Sequence, residues 1–145
     1  MKWLVDTSIL VRLSDSASPL QAICAQSLTK LHSMSHSLFL CTQVMIEYHV
    51  VATRPVEVNG LGKTFTQSLN DLRRFRQIFT FLPEPQNIDH LWETLVNNYG
   101  IIGRQAHDTR LVAFAQSYGI PNLLTLNARH FGVYAEITVV TPDSV

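Results

Sequence analysis

Short apolar runs alternate along the chain with longer stretches whose apolar residues recur every three or four positions. Trp3-Leu4-Val5, Leu38-Phe39-Leu40-Cys41, Phe79 to Leu82, Leu123-Leu124-Thr125 and Ile137 to Val140 have the length and character of buried strands. Helices fill the intervals. A short one carries Ile9, Leu10 and Leu13, and a second opens at Ser18-Pro19 and carries Leu20, Ile23, Cys24, Leu28 and Leu31. Thr42 can cap a third over residues 43–53, which Arg54-Pro55 ends because a residue before proline avoids the helical region. A loop with Asn59-Gly60 and Gly62 spans residues 56–63, and helices follow over 64–78, around Leu91 to Val96 ending near Gly100, and over 105–118. A short turn through Phe131 precedes the last strand. This order predicts an α/β fold with a mostly parallel sheet covered on both faces. Right-handed crossovers then bring the C-terminal end of every strand to one rim.

Composition narrows the picture. With 145 residues, 46% hydrophobic and 15% charged, and no linker or repeat, a single domain over residues 1–145 is expected. Eleven basic and eleven acidic residues cancel, which argues against a nonspecific nucleic-acid binder but leaves local grip on a substrate open. No apolar run reaches the roughly 18 residues of a membrane span, and no signal-type N-terminus is present. Cys24 and Cys41 read as small core residues of a protein in a reducing cytoplasm.

Acids stand where the elements meet the rim. Asp6 ends the first apolar run, at the C-terminal end of a central strand, where open α/β sheets bind ligands. It would also serve as a plain strand-end or N-cap acid, and Thr7 or Ser8 can cap the next helix. Glu47 shares a helical face with Val44, Val50 and Val51, which predicts an inward carboxylate in need of a polar partner. A neighbouring backbone group or Arg54 would supply one. Asp108 shares its face with Leu111, Val112 and Ala115 and lies in a first helical turn, where the dipole favours an anion. Asn127 follows the strand at residues 123–125 and offers an amide donor and an acceptor, although asparagine is common in turns. Three carboxylates brought together repel and call for a cation or shared protons. Oxygen ligands without cysteine suit Mg²⁺ or Mn²⁺, and the matching chemistry is phosphodiester hydrolysis.

The stretches LVDTSILVRL, TQVMIEYHVVATRP, AHDTRLVAFAQSYG and LLTLNARHF, in this order and spacing, resemble the PIN-domain family over essentially the whole chain. Within it, the chain is most similar to the short VapC-type toxins of prokaryotic toxin–antitoxin pairs. The resemblance implies a three-layer α/β/α sandwich and a Mg²⁺- or Mn²⁺-dependent ribonuclease. It also implies a homodimer, and a small antitoxin whose C-terminal segment occupies the active-site groove. By position, Asp6, Glu47 and Asp108 match the family's three acids, and Thr7 or Ser8 and Thr125 match hydroxyls beside them. Asn127 stands where many relatives carry a fourth Asp, with His130 the next polar candidate, which puts a second metal in doubt.

Two rivals differ in class. A non-catalytic protein-interaction module would retain the fold and a vestigial acidic pocket, against which the intact acids argue. A HAD-like or receiver-like phosphoryl-transfer domain would want a lysine near the late strand, and Thr125-Leu126-Asn127 has none. His107 is expected to face solvent, and the Leu91, Trp92, Leu95 stripe to be core. Arg73, Arg74 and Arg76 read as a solvated helix face or, with Arg104, Arg110 and Arg129, as contacts to RNA phosphates.

Overall fold

The structure, a computed structural model, describes residues 1–145. Five parallel strands form one sheet in the order β3-β2-β1-β4-β5. They are β1 (Lys2–Val5), β2 (Ser37–Leu40), β3 (Thr80–Phe81), β4 (Asn122–Leu124) and β5 (Thr138–Val140). Seven helices connect them: α1 (Thr7–Leu13), α2 (Gln21–Ser33), α3 (Thr42–Thr53), α4 (Phe65–Ile78), α5 (Ile88–Tyr99), α6 (Gln105–Ser117) and α7 (Ala128–Phe131). Helix α1 packs on α2 and α3, and α3 on α4; separately, α5 packs on α6 and α6 on α7. With right-handed crossovers these two groups cover opposite faces of the sheet, giving the expected three layers. No helix is long and apolar enough to cross a membrane.

Strand β1 is central and fully apolar on its inner positions, with Leu4 and Val5 wholly buried. Connections leave β1 toward β2, while β4 pairs on its other side, so the chain reverses its direction of travel between β1 and β4. The crevice beyond the C-terminal ends of two such strands is where ligands enter this class of sheet.

Several details differ from the sequence expectation: the turn through Phe131 is a short helix, α7, and β3 and β4 cover 80–81 and 122–124 rather than 79–82 and 123–125. Helix α2 begins at Gln21, because residues 18–20 form a turn in which Ser18 Oγ accepts the Leu20 N–H. The expected loop over 56–63 contains one 3-10 turn, Val56–Val58. Thr42 does not cap α3; Cys41 holds that position without a side-chain cap bond. Helix α4 starts as expected because Thr64 and Gln67 form a reciprocal capping box. Between α3 and α4 lies a buried acid, Asp71, which accepts hydrogen bonds from Tyr48 Oη (2.7 Å), Lys63 Nζ (2.6 Å) and the Arg74 guanidinium. Cys24 and Cys41 are free and buried, as expected, and burial pushes the Cys41 thiol up to about 12. Trp92 anchors α5 to α6 by donating to the Ala106 carbonyl (2.9 Å); Leu95 is core, and Leu91 and Trp92 pack half-buried against it.

Candidate active site

Asp6 follows β1 directly, and its backbone N–H donates to the Leu124 carbonyl (3.0 Å), tying β1 to β4 at the crevice. It occupies the N-cap position of α1 but its side chain makes no cap bond. Instead Oδ2 accepts from Thr125 Oγ1 (2.6 Å) and Ser8 Oγ (2.7 Å). Those hydroxyls accept in turn: Ser8 from the Leu126 N–H and Thr125 from the Asn127 N–H, both at 3.0 Å. The loop after β4 is therefore stitched to Asp6. The carboxylate is 6% exposed, and Oδ1 has no hydrogen bond within the chain.

Glu47, on α3, has both oxygens engaged. Oε2 accepts from Thr7 Oγ1 and Oε1 from Gln43 Nε2, each at 2.9 Å. The expectation that Glu47 shares an inward apolar face needs correction. The buried positions of α3 are Gln43, Val44, Tyr48 and Ala52, whereas Val50 is 53% exposed and Glu47 and Val51 are half-buried. Val50 and Val51 line an open groove, and of the three valines only Val44 is in the core. Arg54 is not its partner; Thr7 and Gln43 are.

Asp108 lies in the first turn of α6 and is half-buried, with no hydrogen bond from the chain. Burial pushes its carboxyl up to about 6; His130 and His107 oppose this, and the charges of Asp6 and Glu47 add to it. His130 Nδ1 is 3.7 Å from Asp108 Oδ2, while the His107 side chain is exposed as expected. Asn127 reaches the same groove but is exposed, and its side chain neither caps α7 nor bonds an acid.

These residues share a groove of about 920 Å³ whose walls include Ile46, Val50, Val51 and Leu61. Arg12, Arg54 and Arg104 also line it. Arg12 pairs with Asp15 (3.7 Å), Arg54 donates to the Asn59 carbonyl (3.0 Å), and neither Arg54 nor Arg104 has a carboxylate partner. The other arginines named from the sequence lie elsewhere. Arg73 and Arg74 are tied to Asn70 and Asp71, Arg76 stacks on Phe81 at 4.8 Å, and Arg129 is exposed outside the groove. Arg110 binds Glu84 (2.9 Å) and Gln43 (3.1 Å). Gln43 is the site residue that sequence reasoning missed; its signal was the four-residue spacing to Glu47, which puts the two side chains together on a helix.

No group of three or more His, Cys, Asp or Glu side chains stands arranged to hold a metal ion, in keeping with the two occupied oxygens of Glu47. Asp6 and Asp108 nevertheless keep free carboxylate oxygens, and a divalent cation would offset both the burial that raises Asp108 and its smaller repulsion from Asp6 and Glu47. Oxygen donors without sulfur suit a hard cation in their chemistry.

None of the curated proteins matches the chain at a significant level. Among solved structures, one chain of VapBC2 from Rickettsia felis, bound to a DNA fragment of its promoter, superposes with a TM-score of 0.74 at 16% identity. That match covers 97% of this chain and 98% of that one. A toxin–antitoxin complex from Klebsiella pneumoniae gives 0.66 at 21% identity over 98% of both chains. VapC20 of Mycobacterium tuberculosis, described as a sarcin-ricin loop cleaving toxin, gives 0.65 at 14% identity, covering 93% of this chain and 98% of that one. At these identities the likeness speaks for the fold. In sequence, the PIN domain family model matches residues 3–137, and the chain belongs to that family.

Proposed function

We propose that the chain is a Mg²⁺- or Mn²⁺-dependent endoribonuclease that hydrolyses RNA phosphodiester bonds, and that it is the toxin of a toxin–antitoxin pair. The observation that carries this reading is the convergence of Asp6, Glu47 and Asp108, from three separate elements, on one groove at the β1/β4 reversal. Burial and the other two acids push Asp108 up to about 6. Family membership supports nuclease chemistry, and VapC20 is a fold relative described as a sarcin-ricin loop cleaving toxin. The Rickettsia and Klebsiella assemblies support a cognate antitoxin as partner. A homodimer in the cytoplasm belongs to the same reading.

Asp6 and Asp108 would hold the cation, with Glu47 beside them. A bound Mg²⁺ or Mn²⁺ supplies a contact for a phosphate oxygen and lowers the pKa of the attacking water. The chain supplies orientation. Ser8 and Thr125 fix Asp6 through Oδ2 and leave Oδ1 free, and Thr7 fixes Glu47. Arg54 and Arg104 offer local positive charge to the flanking phosphates of a neutral protein's substrate. Asn127 adds a neutral donor and acceptor at the rim, which suits one cation better than two.

The test is incubation of the antitoxin-free chain with a mixed RNA pool in Mg²⁺ or Mn²⁺, against EDTA. Cutting that EDTA abolishes is expected. A folded chain that leaves the pool intact in metal would contradict the proposal and favour the interaction-module reading.

A further inference from the structure

The strongest unexplained feature near the site is a buried amide that joins two of the acids. Gln43 is 7% exposed, and all three of its hydrogen-bonding groups are used. Nε2 donates to Glu47 Oε1 (2.9 Å) and to the His107 carbonyl (2.7 Å), while Oε1 accepts from Arg110 Nη1 (3.1 Å). The orientation of the amide is dictated by chemistry. Carboxylate and carbonyl can only accept, and a guanidinium can only donate, so a flipped amide would face unlike partners with the wrong end. Arg110 is itself fixed by Glu84 at 2.9 Å.

His107 immediately precedes Asp108. The amide therefore ties Glu47 on α3 to the first turn of α6 and sets the separation between Glu47 and Asp108. These elements come from opposite layers of the sandwich, and no backbone ladder joins them there. We propose that Gln43, held in its orientation by Arg110, is a positioning residue that fixes Glu47 relative to Asp108 for cation binding and cleavage. The inference rests on the nuclease reading and names the device that assembles its acids. Groups that orient acidic ligands act through them, and their loss typically costs about 10–100-fold in metal affinity or activity.

Two variants and two readouts test it. Gln43→Glu keeps the size of the side chain but turns its donor into an acceptor facing Glu47 and the His107 carbonyl. Arg110→Met cuts the brace from a side chain that is 38% exposed, so the core is not opened. Mn²⁺ affinity is read on the RNA-free chain from the electron paramagnetic resonance of unbound Mn²⁺, and kcat and KM are read on RNA. The expected result is a loss of about 10–100-fold in Mn²⁺ affinity or kcat for Gln43→Glu, with KM for RNA nearly unchanged. Arg110→Met should show a smaller loss of the same kind, and Arg110→Lys part of its recovery. If both Gln43→Glu and Arg110→Met leave Mn²⁺ affinity and kcat within about twofold of wild type, or act only on KM, the inference is wrong while the nuclease reading stands. A wild-type chain that neither binds Mn²⁺ nor cuts RNA would remove both.

Discussion

Replacing Gly60 with alanine should cost far more than a loop position ordinarily does. Helix α3 stops at Thr53 because Arg54, before Pro55, is extended (φ −67°, ψ 143°). The chain then turns back over the helix end. Leu61 N–H donates to the Val51 carbonyl (3.0 Å), Gly62 to Arg54 (2.9 Å) and Lys63 to Ala52 (2.8 Å), satisfying carbonyls the helix leaves open. Gly60 sits inside this fold-back, its own N–H on the Pro55 carbonyl (3.0 Å). A Cβ there would lie 1.9 Å from the Arg54 oxygen and 2.3 Å from its carbonyl carbon. No rotamer relieves a clash with backbone, so the loop must lift. Losing two to four hydrogen bonds at about 1 kcal/mol each predicts about 2–4 kcal/mol of destabilisation. Gly62 is a milder case: its φ of +62° is the difficulty, the nearest atom being Val56 Cγ2 at 3.0 Å, and Gly62→Ala should cost about 1–2 kcal/mol. Urea unfolding of both variants at constant m-value is the assay. Because Arg54, Asn59, Gly60 and Leu61 line the groove, Gly60→Ala should also weaken RNA cleavage. A Gly60→Ala chain within about 0.5 kcal/mol of wild type would refute the close packing of this loop.

Three further outcomes follow from the same geometry. Burial pushes Asp71 up, but hydrogen bonds from Lys63, Tyr48 and Arg74 outweigh it and hold the carboxyl below its ordinary value of 3.8. A depressed folded pKa stabilises fully above the unfolded value and is lost as pH falls through the folded one, so the wild-type urea midpoint should drop below about pH 4. Asp71→Asn should cost about 3 kcal/mol at neutral pH and show a shallower acid slope; an unchanged slope would assign the acid sensitivity elsewhere. Asp108→Asn removes a charge disfavoured by burial and, secondarily, by Asp6 and Glu47, and in metal-free buffer at pH 7 it should raise stability by about 1 kcal/mol, discounted because the side chain is 30% exposed. Thermal melts with chelator check this, and a lower melting temperature would contradict a destabilised Asp108 charge in the folded chain. Arg54→Gln and Arg104→Gln should each reduce the salt slope of single-stranded RNA binding by about 0.7, while Arg73→Gln, outside the groove, should not. An equal change in Arg73→Gln would place the strand on another surface.

The layout of the sheet was legible because most strands are short apolar runs closed by a polar or cap residue, as Trp3 to Val5 is by Asp6, and β3 runs into Pro83 instead. Asp6 and Asp108 could be placed for the same reason: one ends a strand and the other opens a helix, and both ends fall on the rim. Glu47 was legible as a site residue but not in its surroundings. A helical face of valines looks identical in sequence whether it packs on the sheet or lines a groove, and only the tertiary packing of α3 through Val44, Tyr48 and Ala52 decides. The hydroxyls of Thr7 and Ser8 looked like helix caps, since nothing local announces that they turn toward Glu47 and Asp6. Gln43 and Arg110 are 67 residues apart, and their bond exists only once α3 and α6 meet. The arginines at 73, 74 and 76 are exposed, as a solvated helix face requires; what adjacent charges do not show is that Arg74 engages the buried Asp71, one turn away in the helix.

The most decisive measurement compares RNA cleavage in Mn²⁺ by wild type, Asp6→Asn, Asp108→Asn and the double variant, each confirmed as folded. Acids that act as one unit are non-additive, so each single change should lower kcat/KM by about 10³-fold or more and the double change little further. Single variants that keep activity within about tenfold of wild type, or losses that multiply in the double variant, would contradict a shared catalytic centre at the β1/β4 crevice.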